Sequence, residues 1–130
     1  MMNAVLLDTC TFLWIVANAP ELSKDAKAIF CDVENQVYLS AISVWEIAVK
    51  NMIGKLPLPD TVDVFVREQR ESHKIESLAL DEFAALYLPN LPQIHNDPFD
   101  RMLVCQAIRH DLTILTPDPM IRQYLVKSVW

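Results

Sequence analysis

Four short apolar runs, separated by longer segments with helical signals, constrain the fold of this chain more than any other feature. The runs are rich in valine, isoleucine and leucine, which predicts short strands buried on both faces. They cover residues 4–7, 37–39, 75–78 and 112–115. Helices are predicted over residues 23–33, 42–53, 61–72, 81–86 and 99–110, with a last helix beginning at Pro119. This alternation predicts an α/β fold: a three-layer α/β/α sandwich around a central, mostly parallel sheet.

The size and composition of the chain exclude several classes of protein. A length of 130 residues favours a single domain, residues 1–130, with a core that folds without disulfides or structural metals. The only glycine, Gly54, leaves no glycine-rich loop for a nucleotide phosphate. Three cysteines without a Cys-x-x-Cys pair argue against a zinc site and favour a reducing cytoplasm. The first ten residues lack a basic leader, and no apolar run reaches the roughly 20 residues of a membrane span, so we expect neither export nor membrane insertion.

Charge and hydrophobicity bear on the partners of the protein. A net charge of −6 argues against nucleic-acid binding through a broad basic face, so any such contact must be local. Divalent cations bound at an acidic pocket would reverse its field, and four basic residues are candidates for phosphate contacts: Lys50, Lys55, Arg101 and Arg122. A hydrophobic fraction of 52% is high for a small domain and indicates apolar surface reserved for another chain, such as a second copy.

Four acidic residues carry the main chemical signal. Asp8 and Asp118 follow predicted strands, Glu46 lies in a mostly apolar helix, and Asp100 is the third residue of the helix that Pro98 begins. Ligands of parallel sheets gather at the carboxyl ends of the strands, and clustered carboxylates repel one another unless cations join them. Oxygen ligands without a set of Cys or His companions suit Mg²⁺ or Mn²⁺. Such a site is suited to phosphodiester hydrolysis, because the ion activates water and offsets phosphate charge.

Each of these acids also has an ordinary structural explanation. Asp8 and Asp118 are suitable N-caps for the segments that follow them. Glu46 can pair with Lys50 one helical turn later, an interaction worth a few tenths of a kcal/mol. Ser43 lies on the same helical face as Glu46 and Lys50, so the three form a polar stripe that lines either a site or the surface. Taken singly, no acid decides between the structural and the chemical explanation.

Taken in order, the motifs resemble the PIN-domain family, and within it the VapC-like toxins of bacterial toxin–antitoxin pairs. The matching stretches are LLDTCTFLW at 6–14, SAISVWEIAVKNMIGKL at 40–56, HNDPFDRMLVCQA at 95–107 and LTILTPD at 112–118. The resemblance implies a three-layer sandwich around a parallel sheet and a ribonuclease that depends on Mg²⁺ or Mn²⁺. It also implies a homodimer that a small antitoxin protein holds inactive.

The resemblance implies roles for individual residues. The metal-binding and catalytic acids that it places in one pocket are Asp8, Glu46, Asp100 and Asp118. The supporting hydroxyls that it implies are Thr9 or Thr11 beside the first acid and Ser43 beside the second. In the stretch HNDPFDRM, Asp97 is interpreted as the helix cap, and His95 and Arg101 are candidates for contacting substrate or orienting a ligand.

The sequence therefore predicts a metal-dependent ribonuclease that cleaves single-stranded or looped RNA as the toxin of a toxin–antitoxin pair. One alternative is a catalytically inert PIN-like module that only binds other proteins. Another is an aspartyl-phosphate phosphatase with Asp8 as the phosphoacceptor. Dehalogenase-like phosphatases need a second aspartate two residues later, where this chain has Cys10, so that alternative is weaker.

Overall fold

The structure is a computed structural model that describes residues 3–130. Met1 and Met2 lie outside the described residues; they belong to the N-terminal segment in which no leader is expected. The strands are β1 (Ala4–Leu7), β2 (Gln36–Ser40), β3 (Glu76–Leu78), β4 (Thr113–Leu115) and β5 (Ser128–Val129). The helices are α1 (Thr9–Ala17), α2 (Lys24–Cys31), α3 (Ala41–Met52), α4 (Val62–His73), α5 (Glu82–Ala85) and α6 (Pro98–His110). Over residues 3–130, none of the helices combines the length and apolar character needed to cross a bilayer.

The strands form one parallel sheet with the order β3-β2-β1-β4-β5. The last residue of the central strand, Leu7, pairs with Leu39 of β2 and with Leu115 of β4. The carboxyl ends of these three strands are therefore level, and the residues that follow them meet at one edge of the sheet. Strand β5 was not predicted, because two residues at the end of the chain carry no periodic signal.

The sheet is covered on both faces, as predicted for a three-layer sandwich. Val5 and Leu7 of β1 pack into one apolar cluster with Phe12, Ile47 and Phe65 from α1, α3 and α4. Leu6, which points to the opposite face, packs into a second cluster that is built mainly on α6. Because side chains alternate along a strand, a strand that is apolar at every position requires helices on both sides.

Several helix boundaries follow from local chemistry. Ser23 caps α2 by accepting a hydrogen bond from the amide of Ala26 at 3.0 Å, at the predicted start of that helix. Helix α3 ends at Met52, and Gly54 then adopts a left-handed φ of 79°, which glycine tolerates best.

The predicted helix after Pro119 is wrong, since the segment forms only a 3-10 turn over Ile121–Gln123. Ile121 and Tyr124, three residues apart, are both buried in the second apolar cluster. The chain must then reach β5 at Ser128, which leaves no room for a longer helix.

Candidate active site

The four predicted acids lie at the carboxyl edge of the sheet. Asp8 directly follows β1, and Asp118 comes three residues after β4. Glu46 lies in α3, which begins immediately after β2. Asp100 lies in the first turn of α6; because α6 leads back into β4, its first turn starts from this same edge. Local patterns of strand and cap thus bring the four residues to one region.

The carboxylate of Asp8 is buried and is held by a different partner at each oxygen. Its Oδ1 accepts a hydrogen bond from the amide of Thr11 at 2.8 Å and caps α1. Its Oδ2 accepts a short hydrogen bond from the hydroxyl of Thr116. Burial raises the pKa of Asp8 above its ordinary value, although the hydrogen bonds from Thr11 and Thr116 act in the opposite direction. Asp8 therefore caps α1 with Oδ1, as the structural explanation predicted, while Oδ2 faces the acidic edge of the sheet.

Cys10 lies beside Asp8, and the pKa of its thiol reflects burial and the negative charges around it. Its Sγ is 3.5 Å from Oδ1 of Asp8. Burial, together with the negative charges of Asp8, Asp100 and Asp118, raises the pKa of the thiol to about 12. A thiol in this environment remains protonated at neutral pH and is a poor nucleophile.

Glu46 is buried at the centre of a polar network between α1 and α3. Its Oε1 accepts a hydrogen bond of 2.6 Å from the hydroxyl of Thr9, whose oxygen also lies 3.0 Å from Oγ of Ser43. Its Oε2 forms an ion pair with Nζ of Lys50 at 2.6 Å. The predicted pair with Lys50 is present, but the carboxylate is only 8% exposed and the pair is not an ordinary surface interaction. The predicted polar stripe faces the edge that carries the other acids.

The protonation of Asp100 reflects how close the acids are to one another. Burial and the charge of Asp97, with smaller contributions from Asp118 and Glu46, raise the pKa of Asp100 to about 7. His95 acts in the opposite direction, with Nε2 at 3.4 Å from Oδ2 of Asp100. The raised pKa of Asp100 therefore reflects its burial first and the neighbouring carboxylates second.

His95 and Arg101, the two candidates for contacting substrate or orienting a ligand, lie in different surroundings. Nδ1 of His95 lies 2.7 Å from the hydroxyl of Tyr124, so the ring is fixed between that hydroxyl and Asp100. Arg101 was expected to contact substrate, but its guanidinium is buried and donates to the carbonyl of Pro92 and to the hydroxyl of Tyr124. Arg101 therefore supports the loop before α6. Tyr124 was missed because it lies 29 residues from His95 in the sequence.

Of the two threonines predicted beside Asp8, Thr9 donates its hydroxyl to Glu46, whereas Thr11 donates its amide to Asp8. The hydroxyl of Thr11 donates to the carbonyl oxygen of Leu115 and links α1 to β4. Asp8 also accepts from the hydroxyl of Thr116, which in turn accepts from the amide of Asp118 at 3.0 Å. The available signal was its position in LTILTPD, directly after a strand at the same edge of the sheet.

The carboxylates of the acidic edge are ligands of the chemical type that a hard divalent cation prefers. In the part of the chain from residue 3 to 130, no three His, Cys, Asp or Glu side chains stand in the arrangement of ligands around one ion. Both oxygens of Glu46 contact protein partners, Thr9 and Lys50. The donors are nevertheless carboxylate oxygens, and burial together with the neighbouring carboxylates raises the pKa of Asp100 to about 7. A divalent cation would supply the missing charge if Lys50 released Glu46.

Comparison with known proteins identifies relatives along most of the sequence. The PIN domain matches residues 5–125. Ribonuclease VapC16 of Mycobacterium tuberculosis is 38% identical over an alignment of 66 residues that covers 48% of this chain. The aligned stretch spans about half of that relative, 47% of its length.

Solved structures show the same fold at low sequence identity. VapBC2 from Rickettsia felis, in a structure bound to a DNA fragment from its promoter, has a TM-score of 0.73 at 12% identity, with 97% of both chains covered. VapBC-1 from nontypeable Haemophilus influenzae has a TM-score of 0.65 at 14% identity, with 97% of this chain and 96% of the other covered. Because the family match runs from β1 past β4 and includes all four acids of the edge, the chain belongs to the PIN domain family.

Proposed function

We propose that this chain is a metal-dependent ribonuclease, acting on RNA phosphodiester bonds as the toxin of a toxin–antitoxin pair. The observation that carries the proposal is the set of acids at the carboxyl edge of the sheet, where burial and the neighbouring carboxylates raise the pKa of Asp100 to about 7. Membership of the PIN domain family and similarity to Ribonuclease VapC16 support a nuclease activity.

Four carboxylates would hold Mg²⁺ or Mn²⁺: Asp8, Glu46, Asp100 and Asp118. When bound, the ion supplies an acidified water molecule and positive charge against the phosphate of the substrate. The protein's own contribution is orientation. Thr116 and the amide of Thr11 hold the Asp8 carboxylate, and Thr9 holds one oxygen of Glu46, so that these oxygens face the edge of the sheet in fixed directions.

Basic side chains would contact the phosphates of the substrate locally. Lys50 is the strongest candidate, because its ammonium already lies against Glu46 while its side chain is 48% exposed. Lys55 and Arg122 are exposed and remain candidates. Arg101 is no longer one, since its guanidinium is buried against the loop.

Protein partners are also part of the proposal. Large apolar side chains are exposed at the end of α3 and around α5: Met52, Ile53, Phe83 and Leu86. Surface of this kind is typical of contacts with other chains. We infer a homodimer and a cognate antitoxin in the cytoplasm, with support from the VapBC structures that share the fold.

The ribonuclease is tested by incubating the purified chain with a pool of cellular RNAs in Mn²⁺ or in chelator and mapping the cut ends. We expect cleavage in Mn²⁺ that chelator abolishes. Asp8→Asn should remain folded and lose at least about 100-fold of the rate, in the range of a lost electrostatic group at an active site. Asp111→Asn is the matched control, because Asp111 is exposed and its carboxylate pairs with the exposed Lys127. Unchanged cleavage by Asp8→Asn would contradict the assignment.

A further inference from the structure

We propose that the cleft between α3 and α6 binds an unpaired nucleobase of the RNA substrate, adjacent to the phosphodiester that is cut. This inference rests on the proposed ribonuclease function and adds a substrate-binding subsite to it. The cleft has a volume of about 250 Å³. Ile42 and Met102 contribute apolar walls, and Trp45, Gln93 and Asn96 contribute aromatic and amide groups.

The cleft adjoins the acidic edge through both of its helices. On α3, Trp45 of the cleft directly precedes Glu46 of the acidic edge. On α6, Arg101 of the cleft directly follows Asp100. Neighbouring residues on a helix project about 100° apart, so each helix presents one face to the cleft and the next to the acids. A nucleotide that places its base in the cleft therefore has its backbone near the carboxylates.

One side of the cleft offers a rigid aromatic surface. The side chain of Trp45 is 57% exposed, which is unusual for so large an apolar group. Its ring meets that of Phe99 edge to face, with centroids 4.9 Å apart and an interplanar angle of 75°. This contact holds the indole in place while leaving much of it accessible. Bases of single-stranded RNA stack on aromatic side chains held in this way.

The rim of the cleft offers hydrogen-bonding groups that suit a base edge. Nε2 of Gln93 donates to Oδ1 of Asn96 at 2.6 Å and to the carbonyl of His95 at 3.3 Å, which orients both amides. Oε1 of Gln93 and Nδ2 of Asn96 have no hydrogen-bond partner within residues 3–130. They present an acceptor and a donor together. Adenine and cytosine carry an amino donor beside a ring-nitrogen acceptor, the complementary pattern.

The charge distribution favours RNA over an apolar peptide or a second copy of the chain. The ammonium of Lys50 pairs with Glu46 beside the cleft and its side chain is 48% exposed, so it would be available to a phosphate of a nucleotide whose base lies in the cleft. An apolar side chain from a protein would fill the aliphatic floor, but it would bury the free groups of Gln93 and Asn96 without partners. Buried polar groups without partners cost about 1–3 kcal/mol each.

The first test uses nucleosides, which carry a base and no phosphate. Adenosine and cytidine are titrated into the isotope-labelled chain while the nuclear magnetic resonance signals of the Trp45 indole and of the Gln93 and Asn96 amides are followed. We expect saturable shifts at these three groups, with no matching shift at the indole of Trp14. Absence of shifts at the cleft up to the solubility limit of the nucleosides would overturn the proposal.

The second test uses cleavage kinetics on a short single-stranded RNA. Trp45→Ala should raise KM about ten-fold or more while kcat changes little, since stacking on an aromatic side chain is worth roughly 1–3 kcal/mol per base. Trp45→Phe should restore most of the affinity, and Val33→Ala, at an exposed apolar residue after α2, should leave KM unchanged. An equal KM for Trp45→Ala, or a change of oligomeric state in light scattering without nucleoside shifts, would overturn the proposal in favour of a protein contact. Nucleoside shifts without any RNA cleavage would instead contradict the ribonuclease and leave the base site supported.

Discussion

At the scale of single residues, the site shows one side chain serving two purposes. Asp8 caps α1 with Oδ1 and directs Oδ2 to the hydroxyl of Thr116. A structural explanation of an acid therefore does not exclude a chemical one. The hydroxyls that orient the acids and the ammonium that neutralises them can be separated by substitution.

Thr116→Val should weaken Mn²⁺ binding and slow RNA cleavage, because it removes the donor that holds Oδ2 of Asp8 while keeping the shape of the side chain. Thr113→Val is the control, since Thr113 lies at the first residue of β4, at the end of the strand away from the acids. Thr116→Val should cost about 1 kcal/mol of unfolding free energy. Calorimetry with Mn²⁺ separates them: equal metal affinities for the two variants would show that Thr116 does not orient a ligand.

Lys50→Met should increase the affinity for Mn²⁺, because it frees Oε2 of Glu46 from the ammonium that competes with a cation. The metal-free variant should melt at a lower temperature than the parent, since the buried carboxylate loses its partner, and Mn²⁺ should reverse this loss. Lys127→Met serves as control, because its pair with Asp111 is exposed and contributes little. A weaker Mn²⁺ affinity in Lys50→Met would argue that Glu46 is not a ligand.

At the scale of elements, α3 and α6 connect the core to both parts of the site. Helix α3 buries Ile47 in the first apolar cluster, presents Glu46 to the acidic edge and presents Trp45 to the cleft. The start of α6 is set by Asp97, which accepts from the amide of Asp100 at 3.0 Å, and by Pro98 at the first helical position. The position of Asp100 thus depends on the cap of its own helix.

Two substitutions at Asp97 should separate its capping role from its charge. Asp97→Asn keeps a capping oxygen, whereas Asp97→Ala removes it and should cost about 1 kcal/mol of unfolding free energy. Both remove the negative charge next to Asp100 and should lower the pKa of Asp100 from about 7. Urea denaturation measures the first effect, and titration of the Asp100 carboxyl by nuclear magnetic resonance measures the second. An unchanged Asp100 pKa in both variants would show that burial alone raises it.

At the scale of the whole molecule, the burial and clustering of the acids at one edge of the sheet lower the free energy of unfolding while no cation is bound. Two apolar clusters, one on each face of the sheet, provide the stabilisation that holds Asp8 and Asp100 in place. The burial of these acids raises the pKa of both. Stability, pH and cation binding are therefore linked.

The metal-free protein should lose stability as the pH rises from about 4 to 7. The folded-state pKa of Asp100 is about 7 against an ordinary value of 3.8, so the folded chain holds a proton that the unfolded chain has released in this window. The stabilising contribution is complete below the unfolded pKa and is lost as the pH passes the folded pKa. Thermal denaturation at several pH values measures the slope, which should flatten in Asp100→Asn and persist in Asp111→Asn. A slope unchanged in Asp100→Asn would contradict the raised pKa.

Local patterns were enough to predict four of the strands, most of the helices and the sandwich, and to single out the acids as candidates. Apolar runs predict strands, caps such as Ser23 and Asp97 mark helix starts, and parallel strands carry the residues that follow them to one edge. These signals lie in neighbouring residues, so they can be read without knowledge of distant contacts.

Other features depend on residues that are far apart in the chain and were settled only by packing. Asp8 accepts a hydrogen bond from the hydroxyl of Thr116, which is 108 positions away in the sequence. The hydroxyl of the nearer Thr11 donates to the carbonyl of Leu115. Arg101 is buried against a loop, and the segment after Pro119 turns because Ile121 enters the core. The partners of such residues depend on the free energies of alternative long-range contacts, and neighbouring residues in the sequence do not reveal those free energies.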